Sequence, residues 1–286
     1  MESNRYLWFG VLCCLFSVAT ATATAEPAEP YKLCEVESVT IYTAKDKPYT
    51  RRDRSLYIRL EAALQKYQQG DLTIIDVRRP EQFSQFRIPK SINLPLHQLR
   101  HKTFLKSKAL LLVNDGRSYL QLESTAEALE NSGFHSVSLI DGGLPAWRDF
   151  THLLDGRAAS ADSLKFMTVK EFLSESNHGP WLVINLGKKG SFREAVNGEI
   201  VDLELNSSMT DELNVKIKKK LVPLTRVLFV SDDKHVYKKL SPYLAQLNVS
   251  NYHILAQTAD YIDKFKEQSR LANANRYRAA KSECQL

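Results

Sequence analysis

Apolar positions along the chain fall into two successive series of helix-like and strand-like runs. Leu56, Ile58, Leu60, Ala63, Leu64 and Tyr67 recur at helical spacing between Ser55 and Gln69, and Gly70-Asp71 closes the segment, so a helix is predicted there. Leu72 to Val77 is a short β-branched run of the buried, parallel-strand kind. A strand at Ala109 to Val113, a helix from about Leu120 to Ser132 stopped by Gly133, and a strand at Ser136 to Ile140 continue the alternation. Strands alternating with helices imply a parallel sheet covered on both faces. From Phe166 the order begins again: a helix at Val169 to Ser174, strands at Trp181 to Leu186 and Arg226 to Val230, a helix at Val236 to Leu247, and a strand at Tyr252 to Leu255. The stretch Asp155 to Ser163, rich in Gly, Ala and Ser, reads as the link between the two halves.

The ends of the chain add a compartment to this picture. Arg5 precedes an apolar run from Tyr6 to Ala19, followed by small residues ending Ala23-Thr24-Ala25 before Glu26-Pro27, the pattern of a cleaved secretory signal. An exported protein is expected, periplasmic in a Gram-negative bacterium and secreted otherwise, with no stable membrane anchor after cleavage. Cys13 and Cys14 lie in the signal, so Cys34 and Cys284 remain, and their most economical role in an oxidising compartment is one disulfide. Neither has a CxxC, CxxCH or His-rich neighbourhood, so no metal and no haem or other cofactor is expected. The chain has 286 residues, 43% hydrophobic and 25% charged, with 11 Gly and 10 Pro, which excludes collagen-like and disordered classes and accommodates two domains. Its 39 Lys and Arg against 33 Asp and Glu give +6, with acids mixed among the bases, so a nucleic-acid partner is not expected.

Two segments are recognisable. DVRRPEQFSQFRIPKSINLPLHQL at 76 to 99 resembles the first signature of rhodanese-like domains, and DGGLPAW at 141 to 147 resembles their closing signature. Asp76, Arg78, Pro89, Asp141, Gly142, Gly143 and Trp147 are the signature positions; Arg87 and Lys90 stand where relatives usually carry His and Gly. The resemblance implies an α/β fold of two consecutive rhodanese-like domains, each a mainly parallel sheet with helices on both faces. The expected divisions are a signal peptide at 1–25, an N-terminal extension at 26–54, a rhodanese-like domain at 55–154, a degenerate rhodanese-like or other α/β domain at 164–268, and a C-terminal tail at 269–286. In the second half Asn185-Leu186-Gly187 takes the place of Asp76-Val77-Arg78, and Ala256-Gln257-Thr258 replaces the DGG turn.

Sulfur transfer in this family needs a thiolate after the central strand, cradled by inward-pointing N–H groups. Here the loop reads Asn114, Asp115, Gly116, Arg117, Ser118, Tyr119, and alignment places the nucleophile at Asn114 or at Gly116, neither a cysteine. Ser231, Asp232 and Asp233 occupy the corresponding loop of the second half, again without cysteine. Ser118 is expected to cap a helix rather than attack, and Asn-Asp-Gly is a turn signal. The leading expectation is therefore a non-catalytic exported protein that binds or scaffolds another exported protein. One alternative is a sulfurtransferase or sulfur relay in which Cys34 or Cys284 reaches a loop. A second is an anion or small-ligand binder at 114–119, with Arg117 as countercharge and Asp115 as competitor. Lys216 and Lys218 to Lys220 read as a solvated helix face and His235 as an exposed loop residue. Asn206-Ser207-Ser208 and Asn248-Val249-Ser250 fit the glycosylation pattern, and Arg270 to Lys281 reads as a packed or fraying terminal helix.

Overall fold

The computed structural model describes residues 50–190, 192, 196–204, 211, 214–215, 222–233, 235–244, 249 and 251–283. The signal segment, Cys34, Cys284, both glycosylation asparagines and the lysine cluster at 216–220 lie outside them.

The first half is built from α1 (Leu60–Gln69), β1 (Thr73–Asp76), α2 (Pro80–Gln85), β2 (Phe86–Arg87), β3 (Ile92–Asn93), α3 (Leu96–Leu99), β4 (Ala109–Val113), α4 (Tyr119–Asn131), β5 (Ser136–Leu139) and α5 (Gly143–Thr151). β3, β1, β4 and β5 form a parallel sheet in that order, and Tyr57 makes a parallel bridge to Leu139 on its far edge. Successive side chains of a strand point to opposite faces. Leu110 and Leu112 accordingly pack with Tyr119, Leu122, Ala126 and Leu129 of α4, whereas Leu111 and Val113 pack with Ala63 of α1 and with Leu144 and Trp147 of α5. The unbroken apolar run of β4 is thus explained by helices on both faces.

The second half contains β7 (Phe166–Met167), α6 (Val169–Glu175), β8 (Trp181–Asn185), β9 (Gly198–Asp202), β10 (Arg226–Val230), α7 (Val236–Leu244), β11 (Tyr252–Leu255) and α8 (Tyr261–Glu283). Its parallel sheet runs β7, β11, β10, β8, β9. Taken in order of appearance in the chain, both sheets read first, fifth, fourth, second, third once the Tyr57 bridge is counted as the opening strand. Sidedness also repeats: Val227 and Phe229 pack with Leu240 and Leu244 of α7, and Leu228 and Val230 with Phe172 of α6 and Ile262 of α8. The worn repeat seen in the sequence is a complete repeat of topology.

Two segments depart from expectation. The helix read from Ser55 divides into a 3-10 turn at Arg54–Leu56, capped by the Asp53 carboxylate accepting the Ser55 N–H at 2.8 Å, an extended stretch, and then α1. Ile58 N–H donating to Leu139 O at 3.0 Å shows why the stretch is extended: it pairs with the sheet. The supposed link at Asp155 to Ser163 is structured. β6 (Asp155–Gly156) pairs antiparallel with β2, and a 3-10 helix at Ala158–Lys165 buries Ala161 and Leu164 against the first core. A Cβ on Gly156, at φ 93°, would sit 2.3 Å from Gln85 O, so the small residue there serves a close crossing rather than flexibility. The terminal segment from Arg270 is helical, as expected, and belongs to α8, continuous from Tyr261.

Candidate functional site

The loop 114–119 leaves the carboxyl end of β4, the position where open parallel sheets place ligands. Asn114 is its first residue and is buried. Its Oδ1 accepts the Gly116 N–H at 2.9 Å and its Nδ2 donates to Arg117 O, so the carboxamide occupies the centre of the turn and uses the inward N–H itself. Gly116 has φ 83°, and a Cβ there would lie 3.0 Å from Gly142 O. Ser118 also adopts a left-handed conformation, φ 58°, at the N-cap of α4, but its hydroxyl makes no cap bond, contrary to the sequence expectation. Its N–H is taken by the second half: Glu175 Oε1 accepts it at 2.8 Å.

The signature residues support this loop from beneath. Leu144 N–H donates to Asn114 O at 2.9 Å, and Gly142 N–H donates to Tyr119 Oη at 2.7 Å. Gly143, φ 56°, approaches so closely that a Cβ would be 2.6 Å from Gly116 N. Trp147 is fully buried and meets Tyr67 edge-on at 5.5 Å between ring centroids. Asp76 is buried against Arg78 through Nε at 3.0 Å and Nη2 at 2.7 Å, and Arg78 also donates to Phe86 O at 2.7 Å. Pro89 O accepts the Tyr67 hydroxyl at 3.0 Å. These are scaffold contacts. Arg87 lies over the Phe83 ring at 5.3 Å, and Lys90 holds φ 61°, a backbone conformation that favours glycine.

The terminal nitrogens of Arg117 are held by carboxylates. Nη2 meets Asp115 Oδ2 at 2.9 Å, Nη1 meets Glu171 Oε1 at 2.9 Å, and Nη1 donates to Phe166 O at 3.2 Å. Burial disfavours its charge, but Asp115 and Glu171 raise its pKa above the ordinary arginine value. Both terminal nitrogens are thus engaged, and among the described residues the buried Nε has no partner.

Around this loop the two halves share a buried network that sequence reasoning missed. Arg52 is almost wholly buried; Nη1 meets Asp141 Oδ1 at 2.9 Å, Nε meets Glu123 Oε1 at 3.3 Å, and Nη1 donates to Leu224 O at 2.9 Å. Its guanidinium lies 4.0 Å from the Tyr119 ring centroid. Glu123 also accepts the Tyr57 hydroxyl at 2.5 Å and faces His178 Nε2 at 3.1 Å. Arg226, fully buried, pairs with Glu175, donates to Glu175 O at 3.1 Å and to His178 O, and stacks 3.9 Å from Trp181. Asn251 Nδ2 donates to Asp141 Oδ1 at 2.7 Å. His253 stands against Gly116, and burial together with the charges of Arg226 and Arg117 pushes its pKa down to about 3, so the ring is neutral. One signal for this interface was present in the sequence: Glu123 sits among Tyr119, Leu122 and Ala126 on the core-facing stripe of α4, where a charge needs a buried partner.

In the second half Ser231 is buried and its Oγ accepts the Asp233 N–H at 3.1 Å. Asp233 Oδ1 accepts the His235 N–H at 2.8 Å, which holds this exposed carboxyl below its ordinary range, and Asp232 Oδ2 accepts the Lys188 N–H at 3.0 Å. His235 is exposed, as expected. A cleft of about 370 Å³ beside this loop is lined by Phe166, Phe229, Ser231, Asp233, Val236 and Gln257 among others. Among the described residues, no cluster of His, Cys, Asp and Glu could hold a metal ion.

Comparison with known proteins places this geometry. The sequence description of the rhodanese-like domain family matches residues 60–150. A crystal structure of the Alr3790 protein from Anabaena sp. is 22% identical over 37% of this chain and 86% of its own, with a TM-score of 0.31. A rhodanese-related protein from Thermoplasma volcanium is 20% identical over 35% of this chain and 98% of its own, with a TM-score of 0.31. A thiosulfate sulfurtransferase from Pseudomonas aeruginosa is 18% identical over 65% of this chain and 38% of its own, with a TM-score of 0.27. No curated protein matches. The signatures at 76–99 and 141–147, the loop they brace and the family match coincide over one segment, and residues 60–150 of this chain are a rhodanese-like domain.

Proposed function

We propose that this protein is a non-catalytic, exported rhodanese-like protein that binds or scaffolds another exported protein. The observation that carries the reading is the filled cradle: the Asn114 carboxamide takes the Gly116 N–H, and the Glu175 carboxylate takes the Ser118 N–H. A persulfide carrier needs those donors free to stabilise a thiolate and its sulfur donor, and needs a cysteine between them. The anion-binding alternative loses support for the same reason, since Arg117 is already held by Asp115 and Glu171. A Cys34–Cys284 disulfide in the exported protein belongs to the same proposal.

The test is transfer of sulfur from thiosulfate to cyanide, read beside the mass of the protein after exposure to thiosulfate. Background turnover and no added sulfur are expected. Turnover that disappears in Cys34→Ser or Cys284→Ser would establish the sulfur-relay alternative instead, and a thermal shift with sulfate that is lost in Arg117→Gln would establish the anion binder.

A further inference from the structure

One stretch of the chain carries cations without acids: residues 82–114 contain no Asp or Glu but include Arg87, Lys90, Arg100, Lys102, Lys106 and Lys108. The stretch forms the β3 edge of the first sheet, α3 and the 3-10 turn Thr103–Leu105. Its last part is wound tightly: Gln98 N–H donates to Pro95 O, His101 to Gln98 O, Lys102 to Leu99 O, Leu105 to Lys102 O and Lys108 to Leu105 O, at 2.9 to 3.2 Å. Leu99 and Leu105 point into the core and fix the winding. Lys90, His97, Arg100, His101 and Lys108 are left exposed, with Lys102 and Lys106 partly so.

Among the described residues no carboxylate pairs with any of the six cations. Lys106 Nζ donates to Ser132 O at 2.7 Å, and Arg100 Nε to His101 Nε2 at 3.1 Å. Between Lys102 and Lys106 in the chain, Phe104 is 65% exposed, the most exposed of the large apolar side chains among the described residues, and Ile92 on the edge strand is 40% exposed.

We propose that the segment formed by α3 and the turn Thr103–Leu105, with Arg100, Lys102, Lys106 and Lys108 on either side of Phe104, binds, reversibly, the surface of an anionic lipid bilayer; Arg87 and Lys90 flank Ile88, which packs on the opposite face of the sheet, and take no part. The cations neutralise lipid phosphates while the Phe104 ring enters the interfacial layer. A charge cluster without the ring would fit any polyanion; the ring within it selects a partner with an apolar layer directly beneath its negative charge. No described helix is long and apolar enough to cross a membrane, so the contact is peripheral. It is independent of the loop 114–119 and of whether that loop is catalytic.

The full chain is sedimented with vesicles of phosphatidylglycerol and phosphatidylcholine in equal parts and with vesicles of phosphatidylcholine alone. The quantity read is the gain in binding from neutral to anionic vesicles. Wild-type protein should show a gain that shrinks as salt is raised. Arg100→Glu/Lys102→Glu/Lys108→Glu should reduce binding to the anionic vesicles by about a hundredfold or more, at roughly a fivefold loss per cation removed. Phe104→Ser alone should reduce it by roughly tenfold while leaving retention on a heparin column unchanged. The proposal is overturned if no gain is seen, if the charge-reversal variant keeps the gain with an unaltered circular dichroism spectrum, or if Phe104→Ser binds vesicles as wild type does. The last result would mark a plain polyanion surface, suited to an acidic protein or a nucleic acid.

Discussion

Replacing Arg52 with alanine should unfold the interface between the two halves before it disturbs either sheet. Arg52 makes ion pairs to Asp141 at 2.9 Å and Glu123 at 3.3 Å, donates to Leu224 O, and lies over Tyr119. Breaking a buried ion pair costs about 3 to 5 kcal/mol, mostly because the partner is left charged and dry. Here the abandoned partners are cushioned. Glu123 keeps Tyr57 and His178, and Asp141, with 26% of its side chain exposed, keeps Asn251 and gains water. We therefore place the loss near the lower limit, about 3 kcal/mol, read as a lowered midpoint in urea by tryptophan fluorescence. Arg52→Met should lose nearly as much, since restoring volume does not restore charge, whereas Arg52→Met with Glu123→Gln should recover part of it. The acid limb carries a second reading. Burial raises the pKa of Glu123, but bonds from His178 and Tyr57 and the charge of Arg52 outweigh it and leave the pKa lowered, so this group stabilises the fold at pH above its ordinary 4.5 and loses that effect as pH falls below it. The acid-side slope should flatten in Arg52→Ala. A loss below about 1 kcal/mol, with an unchanged slope, would refute the claim that Arg52 holds the interface together.

Other substitutions probe the loop and its supports. Gly143→Ala should destabilise by roughly 3 kcal/mol or prevent folding, because its Cβ would lie 2.6 Å from Gly116 N and 2.7 Å from Asn114 Oδ1, as a denaturation curve will show. Gly116→Cys should be markedly less stable than Asn114→Cys, since only the former forces a side chain onto φ 83° beside Gly142 O; the Asn114→Cys thiol should resist aromatic disulfide reagents until the protein is unfolded. Between its ordinary 6.5 and its lowered value of about 3, His253 binds a proton in the unfolded chain but not in the fold, so stability is full above pH 6.5 and falls by up to about tenfold in the folding constant per pH unit below it; His253→Gln should lessen that slope. Lys90→Gly should raise stability slightly, by about 0.5 kcal/mol, through relief of φ 61° against the added freedom of the unfolded chain.

The sheets were legible because buried parallel strands advertise themselves: Leu110 to Val113 and Val227 to Val230 are apolar at every position, which only a two-faced core explains. The family signatures were legible because glycine and proline are demanded by backbone geometry, as Gly143 against Gly116 shows. Position 156 was misread from composition, since Gly in a small-residue stretch signals a linker as readily as a close crossing. Of the interface only Glu123 could be read locally, from its place on the apolar stripe of α4. Arg52, Glu175 and Arg226 are spread over the chain, each resembles any surface charge by itself, and only the docking of two repeats makes the four neighbours. The filling of the loop by Asn114 and Glu175 is likewise a tertiary event, invisible in the six residues from Asn114 to Tyr119.

The placement of Thr50 and Arg52 fixes an order of assembly along the growing chain. Thr50 N–H donates to Asn177 O, Gly179 N–H donates to Thr50 O, and Arg52 donates to Leu224 O, so the earliest described residues wait for partners made more than a hundred residues later. The first half can form its sheet as soon as β5 has emerged, yet Tyr119, Glu123 and Asp141 then remain open on one side until α6 and β10 arrive. Domains generally fold in the order in which they are synthesised. This one therefore passes through a stage with a charged, unsealed face, and a chain terminated before Leu224 is left permanently at that stage, a ready substrate for chaperones and proteases.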